Sequence, residues 1–260
     1  NNEKNGAAGG MMFAVDFLKE VTKCVIATTS ALEKIKINPA NEQIGQMLLK
    51  EAGIELKDKN VIIVGGGDTG NDCTGTSIRL GAKSVTQIEM MPCPPVSRAQ
   101  NNPWPQWPRV LKTDYGAEES IAVYGHDPRV YETTIKEVFS KDGKITGVKT
   151  VEVEFQTIDG KRQLVERKGT EKELPCDLLL VAAGFVGAEE YTAKSFGTEI
   201  GPRGTVLSKS GKTFSSETGY SSSVEKVFTA GDMHRGQSLV VWAIAEGREC
   251  AQEIDDYLMK

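Results

Sequence analysis

The stretch Val61-Ile62-Ile63-Val64-Gly65-Gly66-Gly67-Asp68-Thr69-Gly70 runs an apolar, β-branched segment directly into a glycine turn. β-branched residues favour a strand, and the glycines that follow let the chain bend sharply where other residues would be strained. Asn71 to Leu80 can then form a helix, and Ser84-Val85-Thr86-Gln87-Ile88-Glu89 reads as a second strand that closes on a carboxylate. Strand, glycine turn, helix, strand and acid, with the acid about twenty residues past the turn, are the βαβ pattern that holds a dinucleotide. Gly65 permits the tight turn, Gly67 lets a pyrophosphate approach bare backbone, and Gly70 lets the helix pack close to the strand. Gly65, Gly66, Gly67, Asp68, Thr69 and Gly70 are therefore the expected cofactor contacts, because unpaired N–H groups at a helix N-terminus favour an anion without a lysine.

Glu89 discriminates between coenzymes. A carboxylate there accepts hydrogen bonds from ribose hydroxyls and repels a 2′-phosphate, and the following Met90 and Met91 supply no arginine to reverse that preference. NADH is favoured over NADPH.

A chain of 260 residues, 39% of them apolar, can bury a substantial core in one large or two modest domains. The net charge of −5 and scattered basic residues provide no face for a phosphate backbone, so nucleic acid is not an expected partner. The longest apolar run, Leu178 to Ala188, is interrupted by Gly184 and Gly187 and is too short to cross a bilayer, so no membrane span is expected. Cys24, Cys73, Cys93, Cys176 and Cys250 stand singly with no C-x-x-C pair. An iron–sulfur cluster or zinc site within this chain is thus not expected, and isolated thiols suit a reducing, cytoplasmic setting. His126 and His234 have no companion at metal-ligand spacing and read as ordinary polar residues; no metal ligand, general acid, general base or nucleophile is nominated.

Apolar residues at helical spacing predict a helix over 10–35, and Asn41 to Gly53 predicts a second. The three prolines and two tryptophans of Pro103-Trp104-Pro105-Gln106-Trp107-Pro108 predict an ordered loop, a lid or edge of the nucleotide site. From Tyr131 the pattern alternates, and the Asp142-Gly143 and Asp159-Gly160 pairs are hairpin turns, which predicts a three-stranded antiparallel meander up to Arg167. Asp177 to Phe185 is an apolar strand ending in small residues, as expected of a central parallel strand; a meander in this place resembles the pyridine-nucleotide domain of two-dinucleotide flavoprotein reductases, which implies that the strand end, Ala183, Gly184 and Phe185, positions the nicotinamide. Lys226 to Asp232 predicts another strand ending in a carboxylate, with Gly236-Gln237-Ser238-Leu239-Val240 opening a helix to about Leu258. In the two-dinucleotide flavoprotein reductases that this layout resembles, the aspartate binds the flavin's ribityl chain and the helix start faces the edge where negative charge gathers on reduction, which implies Gly231, Asp232, Gln237, Ser238 and Leu239 as flavin contacts. Gly211-Lys212-Thr213 ends like a P-loop, but Gly204 is too far upstream for G-x-x-x-x-G-K-T.

The fold class is α/β: a Rossmann-like pyridine-nucleotide domain with a β-meander crossover, plus a remnant of a second, FAD-binding α/β domain, as in two-dinucleotide flavoprotein reductases. The expected divisions are a helical segment over 1–58, part of the FAD domain plus an insertion, the NAD(P)H-binding domain over 59–187, and the C-terminal part of the FAD-binding domain over 188–260.

Phe13-Ala14-Val15-Asp16-Phe17-Leu18, Gly65 to Cys73, Asn102 to Pro108, Thr113-Asp114-Tyr115-Gly116 and the run Gly231-Asp232-Met233-His234-Arg235-Gly236-Gln237-Ser238 together resemble the glutamate synthase family. The likeness is to its small (beta) subunit or the equivalent C-terminal region of the single-chain NADH-dependent enzyme. It implies a relay in which NAD(P)H reduces FAD and electrons pass through iron–sulfur clusters to FMN in a large amidotransferase subunit or domain, which makes glutamate from 2-oxoglutarate and glutamine. The family's N-terminal cysteine clusters and first FAD-binding glycine turn do not occur in this sequence, and the stretch from about Cys24 to Asp58 reads as an insertion. The expectation is a fragment that binds NADH weakly and retains little FAD. Two rival readings are the input module of another reductase such as a dihydropyrimidine dehydrogenase-like enzyme, which the Trp-Pro loop argues against, and a non-catalytic nucleotide-binding or assembly domain.

Overall fold

The apolar run before the glycine turn becomes the centre of a parallel sheet. In this computed structural model, which describes residues 9–35, 47, 49–50, 54–208 and 219–259, strand β2 (Asn60–Val64) lies between β9 (Leu178–Val181) and β3 (Ser84–Ile88). Strand β1 (Met11–Phe13) pairs with β9 on one side and β4 (Arg129–Val130) with β3 on the other, all in parallel. Alternate residues of β2 feed two cores. Val61 and Ile63 pack with Phe17, Val21, Val85 and Leu180 on one face, and Ile62 packs with Ile88, Leu179, Ile145 and Val148 on the other. Burial on both faces explains why β2 and β9 read as continuous apolar runs, each large side chain contributing about 1.5–3 kcal/mol.

Helix α1 (Ala14–Ile35) begins later than the expected helix over 10–35, because Met11–Phe13 is drawn into the sheet opposite Leu179, Leu180 and Val181. These N-terminal elements, assigned by sequence to a segment over 1–58, thus share the sheet and core of the glycine turn. The second expected helix, over 41–53, lies outside the described residues apart from Met47, Leu49 and Lys50, which are helical.

Between β4 and β9 the chain forms an antiparallel sheet of β5 (Thr133–Lys141), β6 (Lys144–Ile158), β7 (Lys161–Glu166) and β8 (Lys172–Pro175). Both Asp-Gly pairs make the hairpin turns, with positive φ at Asp142 and Gly143 and again at Asp159 and Gly160. The predicted meander has three strands; the fourth, β8, returns to pair with β6, and its short Lys-Glu-Leu-Pro sequence carries no readable alternation.

The chain divides into two compact units, the first ending at Ala183 and the second starting at Gly184. The second contains α4 (Glu190–Phe196), α5 (Asp232–Arg235) and α6 (Val240–Leu258). Its predicted strand over Lys226 to Asp232 is not formed: Lys226 has φ 66°, Phe228 makes only an isolated bridge to Ser221, and Asp232 starts α5. A strand needs a partner along its length, and among the described residues this segment has one only at Phe228. No described helix is long and apolar enough to cross a membrane.

Candidate functional site

The glycine turn sits at the C-terminal end of β2, between β3 and β9, where open α/β sheets bind ligands. Gly65 has φ +119°, and a β-carbon there would stand 2.8 Å from the Ala182 carbonyl carbon, so the bend beside β9 admits only glycine. Gly67 faces open space with nothing within 4 Å of a β-carbon position. Gly67 is also the N-cap of α2 (Asp68–Arg79), and no side chain caps that helix. The first-turn amides of Asp68, Thr69 and Gly70 have no intrahelical acceptor by helix geometry, which leaves a fan of donors at the positive end of the helix dipole, running from exposed Asp68 to buried Gly70. That cradle fits a diphosphate. Asp68 itself is exposed, so its carboxylate can turn to water.

Glu89 follows β3 and folds back over the turn. Its Oε2 accepts the Gly66 N–H at 2.7 Å and its Oε1 accepts the Met91 N–H at 2.7 Å. The carboxylate is therefore fixed beside the turn rather than pointing freely to solvent, with lone pairs left for further donors. Two residues earlier, the buried Gln87 donates from Nε2 to the Gly65 carbonyl at 2.8 Å.

Helix α2 is held in place by α3 (Tyr115–Tyr124). The Gly116 N–H donates to Asn71 Oδ1 at 3.0 Å, and Tyr115 lies against Gly75 while its hydroxyl donates to Asp72 at 2.6 Å. Partial desolvation of the Tyr115 hydroxyl, then its bond to Asp72, pushes the phenol up to about 12. Cys73 on α2 is buried, and that burial pushes its thiol up to about 12, which makes it packing rather than a nucleophile.

The Trp-Pro loop is organised by one buried side chain. Asn102, 2% exposed, accepts the Arg109 N–H at 2.8 Å and donates to the Trp107 carbonyl at 3.0 Å and to Gln106 Oε1 at 3.3 Å. Arg98 spans the Asn102 and Gln106 carbonyls. The tryptophans themselves point outward, Trp104 82% and Trp107 68% exposed, with Lys112 over the Trp107 ring. Pattern reading singled out the tryptophans and passed over Asn102, a residue type that is ordinary in loops.

In the second unit, Gly231 N-caps α5 and Asp232 is its first residue, accepting the Ser238 hydroxyl at 3.3 Å. Gln237 and Ser238 precede α6, and Leu239 is its N-cap. Gln237 Oε1 accepts the Phe185 N–H at 3.2 Å. The Gly184-Phe185 turn, singled out for the nicotinamide, is thus tied to the segment singled out for the flavin. At the start of α5 the buried Glu246 of α6 gathers three donors: Gly231 N–H at 2.9 Å, His234 Nδ1 at 3.1 Å and Arg235 Nε at 2.7 Å. Burial works to raise its carboxyl, but the Arg235 and His234 bonds outweigh it and hold Glu246 below the ordinary carboxylate range. Sequence reading missed Glu246, and His234, read as an ordinary polar residue, is buried against it with its ring edge-on to Tyr220.

No family model matches the chain. It is 45% identical over 207 residues to the NADH glutamate synthase of Saccharomyces cerevisiae, covering 79% of this chain and 9% of that protein. It is 40% identical over 252 residues to the NADPH glutamate synthase small chain of Bacillus subtilis, covering 96% of this chain and 46% of that one. Among solved structures, Mycobacterium tuberculosis FprA in complex with NADPH matches with a TM-score of 0.54 at 12% identity, over 96% of this chain and 59% of that chain. That likeness shows the fold, a Rossmann-like α/β arrangement built on a parallel sheet. The chain spans less than half the length of the curated relatives it matches. Over most of its length, the chain belongs with the glutamate synthase small chains and the corresponding part of the NADH glutamate synthases.

Proposed function

We propose that the chain is the NAD(P)H-oxidising, electron-input portion of glutamate synthase, a flavin-linked oxidoreductase. In this reading 59–187 is the NAD(P)H-binding domain, 188–260 is the C-terminal part of the FAD-binding domain, and 1–58 is part of the FAD domain plus an insertion, its Met11–Phe13 strand and Phe17 packing in the sheet and core of the first unit. The observation that carries it is the bare glycine turn from Gly65 to Gly70 with the Glu89 carboxylate fixed across Gly66.

The amides of the turn and of the first α2 residues bind the diphosphate, and Glu89 accepts the adenosine ribose hydroxyls, which favours NADH over NADPH. Ala183, Gly184 and Phe185 orient the nicotinamide. Gly231, Asp232, Gln237, Ser238 and Leu239 would hold the flavin, with Asp232 offering a carboxylate to its hydroxyls and the α6 start offering backbone N–H donors. FAD, when bound, supplies the hydride-accepting chemistry, and the protein's part is orientation and electrostatics. No side chain is assigned a proton. Downstream, iron–sulfur clusters and FMN in a large glutamate synthase subunit or domain would use the electrons to form glutamate from 2-oxoglutarate and glutamine, within the cytoplasm.

The test is an assay of the protein, assembled with its large subunit or domain, for NADH oxidation. Oxidation that depends on glutamine and 2-oxoglutarate together supports the assignment. Oxidation of NADH by an artificial acceptor but not by that pair of substrates would assign the chain to a different reductase.

A further inference from the structure

Gln87 is a polar side chain in the middle of a parallel sheet, 2% exposed, and the binding reading gives it no task. Its Nε2 donates to the Gly65 carbonyl at 2.8 Å. The Thr74 hydroxyl, which donates to the Gly70 carbonyl at 3.0 Å, lies 3.5 Å from Gln87 Oε1. A β-carbon on Gly70 would stand 2.5 Å from Nε2, so the amide occupies the space that residue 70 leaves open.

The carbonyl that Gln87 holds and the N–H that Glu89 holds belong to one peptide group, between Gly65 and Gly66. Residues two apart on a strand project to the same side. One strand end therefore grips both edges of the first peptide of the turn, the oxygen by Gln87 and the nitrogen by Glu89. A leucine would fill the same volume without needing partners, so what the amide adds is the orientation of that peptide plane. If the plane rotates, the Gly66 N–H leaves Glu89, and the carboxylate loses the contact that aims it.

The geometry points to Gln87 as a positioning and specificity-determining residue: it fixes the Gly65–Gly66 peptide so that Glu89 is held where it separates NADH from NADPH. This rests on the dinucleotide reading of the glycine turn. The hydrogen-bond partners of Gln87, Gly65, Thr74 and the Pro128 carbonyl that receives its backbone N–H, do not titrate. Its cross-strand neighbour Arg129 is engaged by Asp127.

The experiment titrates ADP-ribose and 2′-phospho-ADP-ribose, which are stable to acid, into the full chain and into Gln87→Leu and Gln87→Glu, with circular dichroism confirming the fold. Gln87→Leu should bind ADP-ribose about tenfold more weakly, since a turn that is competent only part of the time loses affinity in that proportion. Its preference for ADP-ribose over the 2′-phosphate should shrink as well. In Gln87→Glu a buried carboxylate faces the Gly65 carbonyl and repels it, whereas the protonated acid can donate to it as the amide does. Relative to the unmodified chain at the same pH, its affinity should be low at pH 8 and recover at pH 6. A residue that merely packs would not produce that recovery or change the preference. Thr74→Val, which removes the hydroxyl with little change of shape, carries the test if the Gln87 variants do not fold, and should weaken both preference and affinity in the same direction. Unmodified chain that binds neither probe overturns the dinucleotide reading. Unmodified chain that binds ADP-ribose, with variants that match its affinity and preference, overturns the role of Gln87 and leaves that reading standing.

Discussion

Glu89 and Gly66 are joined by a 2.7 Å hydrogen bond from the backbone N–H to Oε2, and the carboxylate fills the volume that any side chain on residue 66 would need. The acid and the turn are thus one device. Glu89→Arg removes the acceptor from both the Gly66 and the Met91 amides and places a cation near the ribose. The expected result is a ratio of NADPH to NADH dissociation constants that falls about tenfold or more, with both affinities reduced by the loosened turn. Calorimetric titration of each coenzyme reads it, and an unchanged ratio would show that Glu89 does not read the sugar.

Gly67 and Gly70 should separate binding from stability. A β-carbon on Gly67 meets nothing, whereas on Gly70 it stands 2.5 Å from Gln87 Nε2 and closer still to the Gly65 carbonyl. Gly70→Ala should therefore destabilise the first unit by about 1–3 kcal/mol, while Gly67→Ala costs about 0.5 kcal/mol as a poorer N-cap yet weakens ADP-ribose binding by blocking bare backbone. Thermal melts paired with titrations check both halves, and equal melting temperatures for the two variants would contradict the packing described.

Glu246→Gln tests the clamp under α5. The folded carboxyl sits below its ordinary value of 4.5 because Arg235 and His234 outweigh burial. Its contribution is complete above the unfolded value and disappears as pH falls through the lower folded one. The variant should lose about 1–3 kcal/mol at pH 7, and the gap to the unmodified protein should narrow below about pH 4.5. Denaturant melts across that range measure it; a gap that grows in acid would reverse the assignment.

Asn102 and the two tryptophans should behave in opposite ways. Asn102→Ala leaves the Arg109 N–H without its acceptor and should cost about 1–3 kcal/mol. Trp104→Ala and Trp107→Ala remove side chains that are mostly exposed and should change stability by less than about 0.5 kcal/mol. Melts of the three single variants decide this.

The glycine turn, its strands and both Asp-Gly hairpins could be read from residue order because their causes are local: β-branched runs, positive φ and a period of two. Gln87 and Glu246 could not. Each is polar, so a one-dimensional pattern sends it to solvent, and only the three-dimensional arrangement surrounds it with donors and acceptors. The segment over Lys226 to Asp232 has strand composition but, among the described residues, forms only an isolated bridge at Phe228, and composition does not report neighbours. Met11–Phe13 shows the reverse, three residues recruited to a sheet edge by Leu179 and its flanks rather than by their own preference.

Strand β9 lies between β1 and β2, although it is the last of the five parallel strands in chain order. Val61 pairs in register with Leu178, which lies far along the chain beyond the whole meander. A ribosome therefore releases β1, β2, β3 and β4 before the piece that joins them exists, and the Leu178 to Leu180 wedge arrives only after the entire meander has emerged. Long-range closure of this kind slows folding, so the nascent first unit waits with a slot in its middle until translation has passed Val181.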